Sequence, residues 1–410
     1  MKELLERAGD YLVKEQKQDG SWEVKKVFHN EPLDWQKDIV VISQNIRTLI
    51  MLNSHKYIKS INKGIYFCCK QEFNNNVPII WNTSKLKLLK YLSSMEEEKE
   101  KIFKIIMKNE NGGYWYYFPK TFNLANYCAI SSIYDMISSI KANQIKRWII
   151  ENKAKDKKGW GREEHSDKSS YAFTSNMIES LILLGEDPLS KDIQIASKFI
   201  KESQNKDGSW KNSNLTSTKS TTYATSLAAL VVMITSDNPF NENIEKAIKY
   251  LLNSSHKNGG WPLIKGEKPE YYSTYYVIRT LVFYNYLKEK WKYLRGMKIK
   301  PQRAAAFLFR GFEKYLKERF RILMLENTLN SNILGNTKQA KERRYDILKI
   351  LANGPREIAD IIDELKKNEK YSYLTKKYHI TQIKFDLEHL KNLNLVGKHK
   401  YEYYAISGLI

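Results

Sequence analysis

Apolar residues recur at three- and four-residue intervals in short runs through the first 287 residues, a period that predicts amphipathic helices. Leu4, Leu5, Ala8, Tyr11 and Leu12 form one run. Ile193, Ile195, Ala196, Phe199 and Ile200 form another, and Ile244, Ala247, Ile248 and Leu251 a third. Beyond a polar stretch each is followed by a denser apolar run, at residues 39–52, 223–234 and 275–287, with similar runs at 124–137 and 171–184. Ser and Thr at 217–222 and 273–274 stand where N-caps of the second helices are expected.

A glycine–tryptophan turn separates the members of each pair. It reads Gln18-Asp19-Gly20-Ser21-Trp22, Asn111-Gly112-Gly113-Tyr114-Trp115, Lys158-Gly159-Trp160-Gly161, Asp207-Gly208-Ser209-Trp210 and Asn258-Gly259-Gly260-Trp261, and a degenerate copy is expected at Trp81. The last three intervals are 45, 50 and 51 residues, so the chain is a repeat array. The glycine suits a helix that must end abruptly and reverse. The neighbouring Asp or Asn adds turn-forming hydrogen bonds, and the Trp is expected to pack across the hairpin. Such hairpins stack into a ring with an inner and an outer helical layer.

The Gln-x-x-Asp-Gly-Ser-Trp turns resemble the repeats of squalene and terpene cyclases and of protein prenyltransferase β subunits. The resemblance covers residues 1–287 and implies a mainly α fold, an α/α toroid of about six helix pairs. It says less about the reaction, because function sits in sites grafted onto folds. Protonating cyclases carry Asp-x-Asp-Asp-Thr, whose central acid must stay protonated in an apolar pocket. The nearest counterpart, Thr221-Thr222-Tyr223-Ala224 with the preceding Ser217-Thr218-Lys219-Ser220, has no carboxylate. Prenyltransferases hold zinc with Asp, Cys and a distant His. Here Asn126 replaces the Asp of Asp-x-Cys before Tyr127-Cys128, and Glu270-Tyr271-Tyr272 stands where the His is expected. The Asp-Asp-x-x-Asp motif of ionising cyclases is missing too. No metal or cofactor is therefore expected, and catalytic degeneracy is the leading expectation.

Weaker catalytic candidates are Glu163, His165 and Asp167 after the Trp160 turn, which in a ring mouth would offer acid–base or cation-binding groups. Glu31, Asp34 and Asp38 are a second carboxylate group, of the kind that supports glycoside hydrolysis. Tyr116, Tyr117, Tyr223, Tyr271, Tyr272 and Tyr275 are expected around a pocket for an apolar ligand.

Charge changes the picture after residue 287. The chain carries 68 Lys and Arg against 46 Asp and Glu, a formal +22. Residues 288–337 alone hold 12 basic against four acidic residues, which reads as a basic helical linker opened by Pro301. Residues 338–410 then predict three helices and two short strands around a basic turn, an order that resembles a winged helix-turn-helix. If that unit binds DNA, Thr381, Gln382, Lys384 and Lys391 lie on or beside its third helix, and Lys398, His399 and Lys400 in the wing. Asp386, Glu388 and Glu402 are expected to dilute the positive face.

Three cysteines, Cys68, Cys69 and Cys128, exclude a disulfide framework, and a cytoplasmic location is expected from the absence of a signal-like start and of a long apolar run. The function expected from these features is a DNA-binding regulator or sensor whose toroid binds an apolar ligand or a protein partner, with homo-oligomerisation as a further possibility. The alternatives are an enzyme on isoprenoid or glycan substrates with non-family catalytic residues, and a non-catalytic subunit of a larger complex, such as a defence complex, that uses the winged helix for docking.

Overall fold

The structure, a computed structural model, describes residues 1–23, 39–53, 55–71, 79–92, 95–117, 120–121, 123–211, 219–294, 298–330, 338–352, 356–371, 377–392, 396–399 and 402–405. Twelve helices alternate between two layers. They are α1 (Lys2–Glu15), α2 (Ile39–Leu52), α3 (Ile58–Lys70), α4 (Ile79–Leu89), α5 (Glu96–Lys108), α6 (Asn123–Ile133), α7 (Ser139–Glu151), α8 (Tyr171–Leu183), α9 (Lys191–Glu202), α10 (Thr222–Thr235), α11 (Glu242–Asn253) and α12 (Tyr271–Leu294). The even-numbered helices touch in succession, and α12 returns to α2, which closes an inner ring of six. The odd-numbered helices form the outer layer. A small sheet, β1 (Glu110–Asn111), β2 (Tyr114–Tyr117) and β3 (Lys120–Thr121), sits between α5 and α6.

The two layers differ as their sequences do. Outer helix α11 buries one stripe, Ile244, Ala247, Ile248, Tyr250 and Leu251, and leaves its charges in water. Inner helix α10 is buried along its whole length.

The turns lock layer to layer. Trp22, Trp115, Trp160, Trp210 and Trp261 are at most 1% exposed. Each indole N–H donates to a carbonyl near the end of its outer helix, for instance Trp210 to Ile200 at 2.8 Å and Trp261 to Leu251 at 2.7 Å. Three of the Trp backbone N–H groups are accepted by a threonine one turn into the next inner helix: Thr174, Thr225 and Thr274, at 2.9–3.0 Å. In the two full Gln-x-x-Asp-Gly-Ser-Trp copies the Gln side chain bridges two carbonyls. Gln204 donates to Gly208 at 3.0 Å and to Asn243, in the next outer helix, at 2.8 Å. Gly208, at φ +89°, lies so near that helix that a Cβ would overlap the Lys246 carbonyl. Gly259 stands the same way against Arg7 of α1, so the last turn closes the ring onto the first helix.

Two local expectations are corrected and a third is met. Trp81 lies inside α4, half-buried, not in a turn. Ser273 and Thr274 are within the first turn of α12, where Thr274 receives the Trp261 N–H instead of capping. For α10 the cap is Thr221, accepting from the Ala224 N–H at 3.1 Å, while 217 and 218 lie outside the described residues.

The expected linker is part of the ring. The boundary at residue 287 falls within α12, and Pro301 opens a long helix, α13 (Pro301–Asn330). One face of α13 buries Ala305, Ala306, Phe309, Phe312, Leu316, Phe320 and Leu323 in the same apolar cluster as the ring. Phe283 of α12 meets the Phe309 and Phe312 rings edge-on, at 5.4 and 5.3 Å. Burying the five large side chains among these is worth about 7–15 kcal/mol as an upper estimate, comparable with the whole stability of a domain. Such a helix is a fixed plug, not a tether. Its basic face is also partly spoken for: Arg303 donates to Asp187 at 2.6 Å, and Lys317 lies 3.8 Å from Asp135.

The C-terminal residues build a second, separate apolar cluster from Ile347, Leu348, Leu351, Ile361, Ile362, Leu365, Tyr371, Ile383, Leu387, Leu390 and Val396. The elements are α14 (Lys338–Ala352), α15 (Ile358–Lys366), α16 (Lys377–Asn392) and an antiparallel hairpin of β4 (Val396–His399) and β5 (Glu402–Ala405). Glu357 and Asp360 form a reciprocal cap at the start of α15.

Candidate functional site

Inner helices buried on every side leave no water for a charged side chain, so charges there must be paired or must face a hollow. Five charges converge at the ring centre: Arg47 of α2, Lys87 of α4, Glu179 of α8, Arg279 of α12 and Glu313 of α13. Arg279 donates to Glu179 at 2.5 and 3.1 Å, and the Tyr127 hydroxyl donates to the same carboxylate at 2.9 Å. Glu313 receives Arg47 at 2.7 Å and the Tyr91 hydroxyl at 2.8 Å. Burial favours the neutral acid at Glu313, but Arg47, Arg279 and the Tyr91 hydroxyl outweigh it and hold the group down at about 2. Among the described residues Lys87 has no ion pair of its own: the Tyr127 ring lies 5.4 Å from its ammonium, and Glu179, already paired with Arg279, acts on it only from a distance. Burial, opposed by Cys128 and reinforced by Arg47 and Arg279, pushes its pKa down to about 8.

The remaining hollow is small. Its volume is about 20 Å³, room for about one water molecule, bounded by these charges with Ser131, Tyr134, Tyr275, Phe309 and Phe312. It lies at the end of the ring that α13 covers, beside the C-terminal ends of the inner helices: Tyr91 follows α4, Tyr134 follows α6, and Gly185, which follows α8, faces Arg310 of α13.

The tyrosines of the expected ligand pocket divide. Tyr223 and Tyr272 pack with Tyr276 at ring distances of 4.9–5.0 Å, all three in a dense cluster. Tyr275 is buried beneath the Arg47 guanidinium and borders the hollow. Tyr271 packs on Tyr11, 6.1 Å away on the far side of the ring closure. Tyr116 and Tyr117 are in β2, paired with Thr121 and Lys120.

The structure does not bring Glu163, His165 and Asp167 together. Asp167 pairs with Lys155 at 2.7 Å in solvent. His165 is exposed at φ +49°, in a turn where the Ser166 hydroxyl donates to the Glu163 carbonyl at 2.8 Å. Glu31, Asp34 and Asp38 lie outside the described residues. Among the described residues, no three His, Cys, Asp or Glu side chains gather as a metal site would require. Asn126, at the position of the prenyltransferase Asp, accepts the Trp115 N–H at 2.8 Å.

On α16, Thr381, Lys384 and Lys391 are exposed and Gln382 is half-buried. Asp386 corrects its expectation: it is fully buried, tied to Arg343 and, at 2.8 Å, to Arg344, so it takes no charge from the outer face. Glu388 is exposed, 3.5 Å from Lys391. In the hairpin, Lys398 pairs with Tyr403 and His399 with Glu402, while Lys400 lies outside the described residues.

The central charges were not singled out from the sequence, yet a signal exists. Arg47, Glu179 and Arg279 are each a lone charge within an apolar inner-helix run. Isolated opposite charges in the buried layer must find one another.

A closed six-pair ring with tryptophan-locked turns defines a class, the α/α toroids. Residues 52–308 match the family described as the prenyltransferase alpha-alpha toroid domain, and the chain belongs to it. Among solved structures it is similar to the type II terpene cyclase MstE from Scytonema, at 13% identity over 68% of this chain and 96% of that one, with a TM-score of 0.52. It is also similar to the GH76A alpha-1,6-mannanase from Salegentibacter sp. HEL1_6, at 10% identity over 68% and 98%, with a TM-score of 0.50. At such identities the likeness shows the fold. Among curated proteins none matches the chain in sequence. Among the described residues no helix is long and apolar enough to cross a membrane.

Proposed function

We propose that the chain is a DNA-binding regulator in which a catalytically silent toroid carries a C-terminal winged helix. The observation that carries the reading is the outer face of α16. Thr381, Lys384 and Lys391 are exposed along it, Asp386 is withdrawn into a buried pair with Arg343 and Arg344, and a hairpin follows. Helix–helix–helix–hairpin is the order of a winged helix, whose third helix enters the major groove. Gln382 suits base edges and the lysines suit phosphates. Catalytic silence of the ring centre is supported by the water-sized hollow that α13 and two ion pairs leave there, far below the several hundred Å³ of a usual ligand pocket.

The test is duplex-DNA binding by fluorescence anisotropy across a salt series. K384E with K391E is expected to weaken binding at least tenfold and to lower the salt slope by about two. An unchanged affinity and slope would refute the DNA reading. Phe385, 62% exposed beside Lys384, is the one observation favouring a second reading, in which this face docks on a protein.

A further inference from the structure

We propose that the hollow at the ring centre is a binding site for one small monovalent anion, chloride being the physiological candidate, held against the Lys87 ammonium. All charges facing the hollow are accounted for: Arg47, Lys87 and Arg279 are cations, Glu179 and Glu313 carboxylates. The carboxylates are each committed, Glu179 to Arg279 and Tyr127, Glu313 to Arg47 and Tyr91. One positive charge is left over, and Lys87 is the cation without a carboxylate.

Donors are in surplus as well. The Nε atoms of Arg47 and Arg279 are buried and have no acceptor. An anion in a hollow bordered by these two arginines supplies the missing charge, which water does not. Size then selects among anions. A volume of about 20 Å³ suits a single-atom ion and shuts out sulfate, phosphate or an organic carboxylate. The ring of Tyr127, Tyr134 and Tyr275 with Phe309 and Phe312 keeps the local dielectric low, where a charge pair is worth most.

The experiment is thermal unfolding of the full chain at constant ionic strength, replacing gluconate by chloride or bromide. Tryptophan fluorescence reports the ring, since all nine tryptophans precede residue 292. Tm is expected to rise by on the order of 5 °C over a hundredfold increase in halide, alike for chloride and bromide. Sulfate is expected to give no such rise, and neither is any halide with Lys87→Met. Should that variant fail to fold, crystals of the unaltered protein in bromide decide the matter, with an anomalous peak expected beside the Lys87 Nζ. A Tm that follows ionic strength whatever the anion, a halide effect equal in Lys87→Met, or a hollow holding only water would overturn the proposal.

Discussion

The ring turns make a specific claim about glycine that two substitutions separate. Gly208 and Gly266 have nearly the same backbone, φ +89° and +95°. A Cβ at Gly266 would meet open space, whereas at Gly208 it would strike the Lys246 carbonyl of α11. Gly266→Ala therefore carries only the cost of a left-handed conformation, about 1–2 kcal/mol, of which up to about 1 is recovered from the stiffer unfolded chain. Gly208→Ala carries the same cost plus about 1–3 kcal/mol for overpacking against backbone that has no rotamer to yield. With a urea slope of about 3 kcal/mol/M, the tryptophan-fluorescence midpoint should fall by about 0.3 M for Gly266→Ala and about 0.7–1.3 M for Gly208→Ala. Equal shifts would refute the idea that the motif glycine exists to let successive repeats touch. They would leave only its turn-forming role.

Two further outcomes follow from buried ion pairs. Glu313 sits at about 2 instead of the ordinary 4.5, equivalent to about 3 kcal/mol. Its folded pKa is depressed, so this stability is complete above about pH 4.5 and is lost as pH falls towards 2. The unfolding free energy of the parent chain should exceed that of Glu313→Gln by about 3 kcal/mol at pH 7, and the gap should close across that window. A gap independent of pH would refute the ionic account of how α13 is anchored. Asp386→Asn removes the buried carboxylate that Arg343 and Arg344 share and should cost the C-terminal unit about 3–5 kcal/mol. The loss should appear in the far-ultraviolet circular dichroism transition and leave the tryptophan transition of the ring in place. A shift of both transitions together would show that the two apolar clusters unfold as one.

The repeat was legible because its determinants are local. Helix period, the glycine after an outer helix and the tryptophan that follows are all read within about 25 residues, and Ile39–Leu52 emerges as α2 without adjustment. Trp81 misled because a tryptophan alone does not make a turn: the flanking glycine is absent, and the residue continues an inner helix. The helix at Pro301 was equally legible, but its role was not. Its basic residues read as a solvated linker, whereas Phe309, Phe312, Leu316 and Phe320 face a ring mouth made by helices up to 270 residues earlier.

By itself, then, the sequence determined the helix periods, the glycine–tryptophan turns other than the one expected at Trp81, and the three-helix-plus-hairpin order of the C-terminal unit, since each rests on contacts between chain neighbours. Only the tertiary structure decided what fills the ring. Arg47, Lys87, Glu179, Arg279 and Glu313 come from five different helices, and which carboxylate neutralises which cation depends on ring closure. The same holds for Asp386, an ordinary acidic residue in the sequence that folding places out of solvent beneath two arginines some 40 residues away. Local pattern governs elements because their hydrogen bonds are local. Charge pairing inside a closed ring is settled by geometry that no single segment contains.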